Sequence, residues 1–136
     1  MKLIVNTNIV FRALIKGSRV RAILLNPNHQ FYIPDHAMGE VEKHLHLIIQ
    51  KTGLAEEEIR LALSLLLTNI QIIPSENILA KWNEAEEIIG SIDEDDIPFM
   101  AASLSITCDG IWSDDKDLTK QRKVKVWSTE EMMSIL

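Results

Sequence analysis

The sequence predicts a three-layer α/β/α domain with a mainly parallel central sheet, and three observations support this fold class. Short β-prone runs alternate along the chain with longer segments of helical periodicity, which is the pattern of parallel sheets covered by helices. Most of the β-prone runs stop at Asn or Pro, which end strands. The 136 residues are 46% hydrophobic and 25% charged, as in an ordinary globular domain. We therefore expect one domain over residues 1–136.

Five β-prone runs predict the strands. They are residues 2–6, 30–33, 70–73, 109–113 and 124–127. The first ends in the turn-forming Asn6-Thr7-Asn8, and the second and third stop at Pro34 and Pro74. Ligand and catalytic sites of parallel sheets form beyond the carboxyl ends of the strands, so functional residues are expected there.

Helical patterns fill the intervals between the strands. Residues 9–15 predict a short helix that breaks at Lys16-Gly17, and Ser18 is expected to cap a second one. Asp35 is expected to cap a long helix that Gly53 closes, and residues 55–67 predict the next. These two helices would form a helical hairpin inserted between strands.

The remaining helices are predicted from their caps and their periodicity. Ser75 is expected to cap a helix over residues 75–89, and a further helix is expected over residues 93–108. Ser128 and Glu131 have the spacing of a capping box, which predicts a final helix.

Composition excludes several classes of protein. The chain has one cysteine, Cys108, so it cannot form a disulfide framework by itself, and a cysteine-based zinc site is disfavoured. The apolar run at the start is too short for a signal peptide. No apolar stretch approaches the roughly 20 residues of a membrane span. We therefore expect a cytoplasmic protein without membrane association, in which Cys108 is buried and unreactive.

The negative charge is concentrated in the middle of the chain. Residues 51–115 hold three Lys or Arg and fourteen Asp or Glu, whereas the segments on either side are basic. An acidic balance disfavours tight non-specific binding to nucleic acid. It is compatible with a metal-dependent nuclease, because cations bridge acidic side chains to phosphates.

Amide and acidic side chains occur at four places near the predicted carboxyl edge of the sheet. These are Asn6 and Asn8 after the first strand, Glu40 in the following helix, the acids of 93–96, and Asp114, Asp115 and Asp117 after the fourth strand. Each group alone fits a helix cap, a turn or a solvated surface. Together they fit a site for Mg²⁺ or Mn²⁺, because close carboxylates need a cation or protons among them.

Five segments in order resemble the motifs of PIN domains. VNTNIVFRALI resembles the family's opening strand, which ends in Asp-x-Asn, and IPDHAMGEVEKHL is similar to its strand, turn and Glu-bearing helix. DEDDIPFMAASLSI resembles the Ala-rich helix that begins with Asp, and GIWSDDKDL the strand that runs into an acidic turn. VKVWSTEEM is similar to the closing strand and helix. The resemblance covers essentially the whole chain.

The resemblance implies a PIN-like fold and a metal-dependent endoribonuclease. Its implied catalytic and metal-binding residues are Asn6, Glu40, Asp96 and Asp115, with Asp93 and Asp117 as outer members and Asn8 and Ser113 as supporting polar residues. In such nucleases one or two Mg²⁺ or Mn²⁺ ions activate water to hydrolyse single-stranded or structured RNA. Many small members are toxins, which implies an antitoxin protein as partner, and we also expect a homodimer.

Asn6 departs from the family pattern, which has Asp at this position. Asn removes one negative charge and presents an NH₂ donor where a cation should lie. Either the natural protein is a degenerate PIN domain, or an original Asp was changed to disarm a nuclease. Weak or absent activity is therefore expected. The alternative function is an inactive PIN domain that binds RNA or protein. A third possibility, a receiver-like domain that accepts a phosphate, would need an Asp after a strand and a partner Lys, and the sequence has no suitably spaced pair.

Other polar and aromatic residues allow two interpretations each. His36, Glu40 and His44 share a helix face and could bind zinc, although hydrogen-bonding or solvated histidines fit as well. Two basic clusters fit either phosphate contacts or a solvated surface. Their members are Arg12, Lys16, Arg19 and Arg21, and then Lys120, Arg122, Lys123 and Lys125. Trp82, Trp112 and Trp127 are expected in the core or an interface rather than in base stacking.

Overall fold

A five-stranded sheet forms the centre of the protein, in a computed structural model that describes residues 1–15 and 18–135. The strand order is β3-β2-β1-β4-β5, and all four neighbouring pairs are parallel. The strands are β1 (Lys2–Val5), β2 (Gln30–Pro34), β3 (Ile70–Ile73), β4 (Gly110–Trp112) and β5 (Val126–Trp127). The predicted α/β class and the five strand positions are confirmed, and the last two strands are shorter than predicted.

α-Helices occupy the first three crossovers and follow β5, whereas a 3₁₀ turn (Lys116–Lys120) lies between β4 and β5. The α-helices are α1 (Thr7–Ala13), α2 (Arg19–Leu24), α3 (Asp35–Lys43), α4 (Leu45–Thr52), α5 (Glu56–Leu67), α6 (Ser75–Ala80), α7 (Trp82–Ala85), α8 (Ile97–Ser105) and α9 (Thr129–Ser134). The helical insert between β2 and β3 is confirmed and consists of α3, α4 and α5. None of these helices, within the described ranges, is both long and apolar enough to cross a membrane.

The central strands are buried on both faces, as expected for parallel strands covered by helices. Leu3, Ile4 and Val5 of β1 are fully buried, and so are Ile111 and Trp112 of β4. Val5 pairs with Trp112 at the end of this ladder. The chain therefore leaves β1 and β4 side by side, which brings the residues that follow them to the same edge of the sheet.

The predicted long helix after β2 is wrong, because the chain breaks it at His44. The backbone of His44 leaves the helical region (φ −99°, ψ 3°), and its Nδ1 lies 2.8 Å from the carbonyl oxygen of Glu40. Asp35 is not the cap; Pro34 occupies the cap position and Asp35 is the first helical residue. Gly53 ends α4 in the left-handed region (φ 67°), as predicted, where a side chain is strained.

The predicted helix over residues 75–89 is also interrupted. Lys81 (φ −110°, ψ 5°) separates α6 from α7, and a π-helical turn follows over Glu86–Gly90. Ser75 is the first helical residue after Pro74 and makes no capping bond. This break leaves Trp82 at the first position of a new helix.

Local capping sets the ends of the other helices. Asn6 caps α1, which begins two residues earlier than predicted; Ser18 precedes α2 without a side-chain bond; Ser128 and Glu131 form the predicted capping box. The expected break at Lys16-Gly17 lies outside the described residues. The predicted helix over 93–108 begins with a 3₁₀ turn (Glu94–Asp96) and ends at Ser105.

Candidate functional site

A cavity of about 510 Å³ lies at the carboxyl edge of the sheet. Its lining includes the four predicted catalytic residues, which are Asn6, Glu40, Asp96 and Asp115. Asn8 and Asp93 from the predicted supporting set line it too. The fold therefore brings to one cavity residues from α1, α3, the turn before α8 and the segment after β4. We call it the acidic cavity.

Three carboxylates form the closest group in this cavity. One oxygen each from Asp93, Asp96 and Asp115 lies within 4.8 Å of the other two. We expected Asp93 to be an outer member, but the structure places it inside the group and leaves Glu40 outside it. Asp93 reaches this position by capping the 3₁₀ turn, where its Oδ1 accepts the Asp95 N–H at 3.0 Å. We call these residues the three-acid group.

Asp96 is the most constrained member of the group. It is 3% exposed, and its Oδ2 is buried without a hydrogen-bond partner. Burial is the largest of the effects that together raise the pKa of Asp96 to about 8, and a hydrogen bond with Asp115 and the charges of Asp115, Asp93 and Asp117 act in the same direction. A buried, unpaired acceptor costs about 1–3 kcal/mol, so this oxygen favours a cation or a proton beside it.

Asp115 is held in place through its own backbone and side chain. Its N–H donates to Ser113 Oγ at 3.0 Å, and its Oδ1 accepts the Asp117 N–H at 2.9 Å. Ser113 is 3% exposed and follows β4 directly. Asp117 pairs with Lys120 at 2.8 Å, and that cation lowers the pKa of Asp117 below its usual range. Asp117 thus lies beside the cavity with a partner of its own.

Asn6 is almost fully buried at the end of β1, at 7% exposure. Its Oδ1 accepts the Asn8 N–H at 3.1 Å and so caps α1. This bond uses the one side-chain oxygen of Asn6 and leaves an NH₂ donor as the other terminal group. An Asp here could keep the cap with one oxygen and offer a second to a cation. Asn8 participates in this bond through its backbone.

Glu40 faces the acidic cavity from α3 together with His36. His36 Nε2 lies 3.7 Å from Glu40 Oε1, and both side chains are about half exposed. His44 instead makes an edge-to-face contact with Phe11, with ring centroids 6.3 Å apart. Among the described residues, the three-acid group is the one set of His, Cys, Asp or Glu side chains close enough together to share an ion. The zinc alternative at His36, Glu40 and His44 therefore gains no support.

Asp114 lies next to Asp115 in the chain but does not join the three-acid group. Its carboxylate accepts bonds from the Thr129 N–H, the Thr129 hydroxyl and Arg12. Burial opposes ionisation of Asp114, but the Thr129 hydrogen bonds and the Arg12 cation outweigh it and lower its pKa. Trp112 Nε1 also donates to Thr129 Oγ1 at 3.1 Å. Asp114 therefore ties α9 to α1 and β4.

The basic clusters are partly occupied by contacts within the protein. Arg21 donates to the carbonyls of Ala13 and Leu14, Lys120 pairs with Asp117, and Lys125 pairs with Glu131 and lies 5.0 Å above the Trp127 ring. Arg12 lines a second cavity of about 630 Å³, which shares Asn8 and Asp115 with the first. No Lys or Arg of the described chain lines the acidic cavity itself. Lys16 lies outside the described residues.

The three tryptophans have different environments. Trp112 is fully buried, 5.7 Å from the Phe31 ring, so the core prediction is confirmed for it. Trp127 is partly buried and donates to the Asp109 carbonyl. Trp82 is partly exposed and lines the acidic cavity, a position that sequence reasoning missed because helical spacing places it among core residues.

Cys108 is half-buried rather than buried. Its Sγ donates to the Ser103 carbonyl at 3.5 Å, and burial raises the pKa of its thiol. A raised pKa disfavours the reactive thiolate.

Comparison with known proteins identifies a family and a fold. A family model described as PIN domain matches residues 4–136. A chain of VapBC2 from Rickettsia felis, in a crystal structure bound to a DNA fragment from their promoter, has a similar fold with a TM-score of 0.65. The two chains are 14% identical, and the alignment covers 94% of this chain and 98% of the other. Among curated proteins, none matches this chain.

Proposed function

Because this chain belongs to the PIN domain family, we propose that it is a divalent-metal-dependent endoribonuclease, weakened or silenced by Asn6. One observation carries the proposal: the buried, unpartnered Asp96 Oδ2 lies within a group of three carboxylates on the wall of an open cavity. A protein that had no use for a cation would gain stability by replacing this oxygen with an apolar or neutral group.

The residues of the cavity suit Mg²⁺ or Mn²⁺. Asp93, Asp96 and Asp115 would hold the ion, with Asn6 and Glu40 on the same wall. Such all-oxygen sets are the ones these ions prefer. When bound, the ion would place positive charge beside the phosphodiester oxygens and lower the pKa of a bound water.

The protein's own groups supply position and proton transfer. Ser113 fixes the backbone of Asp115, and the 3₁₀ turn fixes Asp93 relative to Asp96. Glu40 lies outside the three-acid group and is half exposed, and it would accept a proton from water that approaches the phosphodiester.

We also propose a second protein as partner. The chain of similar fold belongs to a complex named VapBC2 that is bound to DNA from their promoter. An antitoxin-type protein that binds this chain fits the same arrangement. A homodimer stays a further expectation, which light scattering would test.

The alternative function is an inactive PIN domain that binds RNA or protein. The capping role of Asn6 favours it, because the single side-chain oxygen of Asn6 already accepts the Asn8 N–H. In that case the cavity would bind its ligand without hydrolysing it.

A cleavage assay separates the two functions. RNA is incubated with the protein and with its Asn6→Asp variant, each with Mn²⁺ and with chelator. We expect the variant to cleave at least about tenfold faster, since about 1.4 kcal/mol of restored stabilisation gives a factor of ten. Asp96→Asn or Asp115→Asn in the variant should abolish cleavage.

Asp95→Asn is the matched control, because Asp95 is an exposed acid on the same cavity but outside the three-acid group. It should leave most of the activity. If Asn6→Asp gains neither metal stabilisation nor cleavage, position 6 is not a vacated ligand position, and the binding module becomes the better function.

A further inference from the structure

A smaller cavity of about 190 Å³ adjoins the acidic cavity. The two share His36, Trp82 and Pro98 as walls. The rest of the smaller cavity is lined mainly by the apolar side chains of Pro34, Ile78 and Leu79. We propose that it is a nucleobase subsite, in which Trp82 stacks on the base of a nucleotide next to the phosphate in the acidic cavity. This proposal rests on the proposed nuclease function.

The position of Trp82 is the first reason. In an unbroken helix, residue 82 would share a face with Ile78, Ala85 and Ile89, which are all buried. The break at Lys81 instead starts a new helix at Trp82 and leaves its side chain partly exposed between the two cavities. An indole in this place offers a flat apolar face at a border between charged and apolar walls.

The division of the walls is the second reason. A nucleotide carries a flat, weakly polar base within one sugar of a charged phosphate. The paired cavities have the same division, with carboxylates for a cation and phosphate on one side and Trp82, two prolines and Ile78 on the other. Leu79, 68% exposed, borders the apolar side.

The third reason is the absence of cations from the described walls of the acidic cavity. Proteins that bind RNA normally gain affinity from Lys and Arg contacts to phosphates. Here Arg12 and Lys120 already pair with Asp114 and Asp117. Stacking on an aromatic ring is the sequence-tolerant contact that single-stranded RNA uses, and it would add affinity that the described walls do not gain from Lys or Arg.

The test measures binding of fluorescein-labelled, single-stranded RNA octamers to the full chain with Mn²⁺ present. Trp82→Ala should weaken binding about tenfold, toward the low end of the range for loss of one base stack, and Trp82→Phe should retain most of the parent's affinity. Trp127→Ala is the matched control, since this partly buried indole lines neither cavity. Thermal melts check that each variant is folded.

Octamers with a single abasic nucleotide identify the contact as stacking. One abasic position should weaken binding to the parent protein as much as Trp82→Ala does, and the same position should have no further effect on that variant. The nucleobase subsite is refuted if every abasic position weakens binding to Trp82→Ala as much as it weakens binding to the parent. It is also refuted if Trp82→Ala binds the intact octamer like the parent.

Cleavage by Asn6→Asp separates this inference from the proposed function. In that background Trp82→Ala should raise KM about tenfold with kcat nearly unchanged. Cleavage with an unchanged KM would refute the subsite and leave the nuclease intact. If Asn6→Asp neither binds nor cleaves RNA, the nuclease proposal fails and the subsite fails with it.

Discussion

Replacing Asp96 by Asn should stabilise the metal-free protein at alkaline pH. Asp96 is 3% exposed, its Oδ2 has no partner, and its pKa is about 8 against 3.8 for an ordinary aspartate. Asn is nearly the same size and stays neutral at every pH. The substitution therefore removes the cost of ionising a buried carboxylate while it keeps the packing of the turn before α8.

The sign follows from proton binding. Between pH 3.8 and 8 the folded protein holds a proton on Asp96 that the unfolded chain has released. Stability must then fall as pH rises through this window. If the whole pKa difference acts on folding, the free energy of unfolding falls by about 4 kcal/mol between pH 5 and pH 8, at about 1.4 kcal/mol for each pH unit.

Water in the open cavity and movement of the neighbouring carboxylates reduce this value. We expect Asp96→Asn to be more stable than the parent by about 2 kcal/mol at pH 8, or ~8 °C in Tm, and nearly equal to it at pH 5. The assay is a series of urea and thermal melts in chelator from pH 5 to pH 8. Asp95→Asn, an exposed acid nearby, should follow the parent.

Metal provides the second arm of the experiment. Mn²⁺ at 100 times its Kd should stabilise the parent by about 2.7 kcal/mol, and it should give Asp96→Asn little or nothing. The reasoning about Asp96 is refuted if the parent and Asp96→Asn lose stability equally between pH 5 and pH 8, or if Asn at this position is less stable at pH 8.

Three further predictions concern how the site is held. Gly110→Ala should cost about 3 kcal/mol or more in urea melts, because φ is 134° and a Cβ would collide with the Lys125 carbonyl oxygen. Gly39→Ala, in α3 with open space around it, should raise stability by up to about 1 kcal/mol, and equal effects of the two would contradict the assigned strain. Asp114→Ala should lower the free energy of unfolding by about 1–2 kcal/mol at pH 7. Because the pKa of Asp114 is lowered in the folded protein, this loss of stability should shrink as pH falls through that pKa. A loss that stays constant in acid melts would contradict the ionic tie to α9. Ser128→Ala should cost about 1 kcal/mol in the same melts through loss of the capping box, and an unchanged Tm would show that α9 is held by other contacts.

Much of the fold could be predicted from local sequence. Each strand is a short β-prone run between turn-forming residues, and strand propensity and turn chemistry act over a few neighbours. The alternation of strands and helices then leaves few topologies other than a parallel sheet. Because Asn6 and Asp115 lie just beyond strands, their meeting at one edge also followed from the sequence.

The helix breaks could not be predicted in this way. His44 and Lys81 have side chains that helices tolerate, and the periodic pattern runs through both positions. The departures arise where the chain must pack against the sheet and neighbouring helices, and tertiary packing overrides weak propensities. The partial exposure of Trp82 is one consequence.

The roles of neighbouring acids were decided by tertiary structure alone. Asp114 and Asp115 are adjacent and identical in type, yet Asp114 binds Arg12 and Thr129, whereas Asp115 joins Asp93 and Asp96. Sequence placed acids at this turn because turns favour them. Which of the two joins the three-acid group depends on partners far along the chain, because a side chain's direction and burial are set by what the fold packs beside it. For the same reason, only the tertiary structure gave Asp96 its buried oxygen.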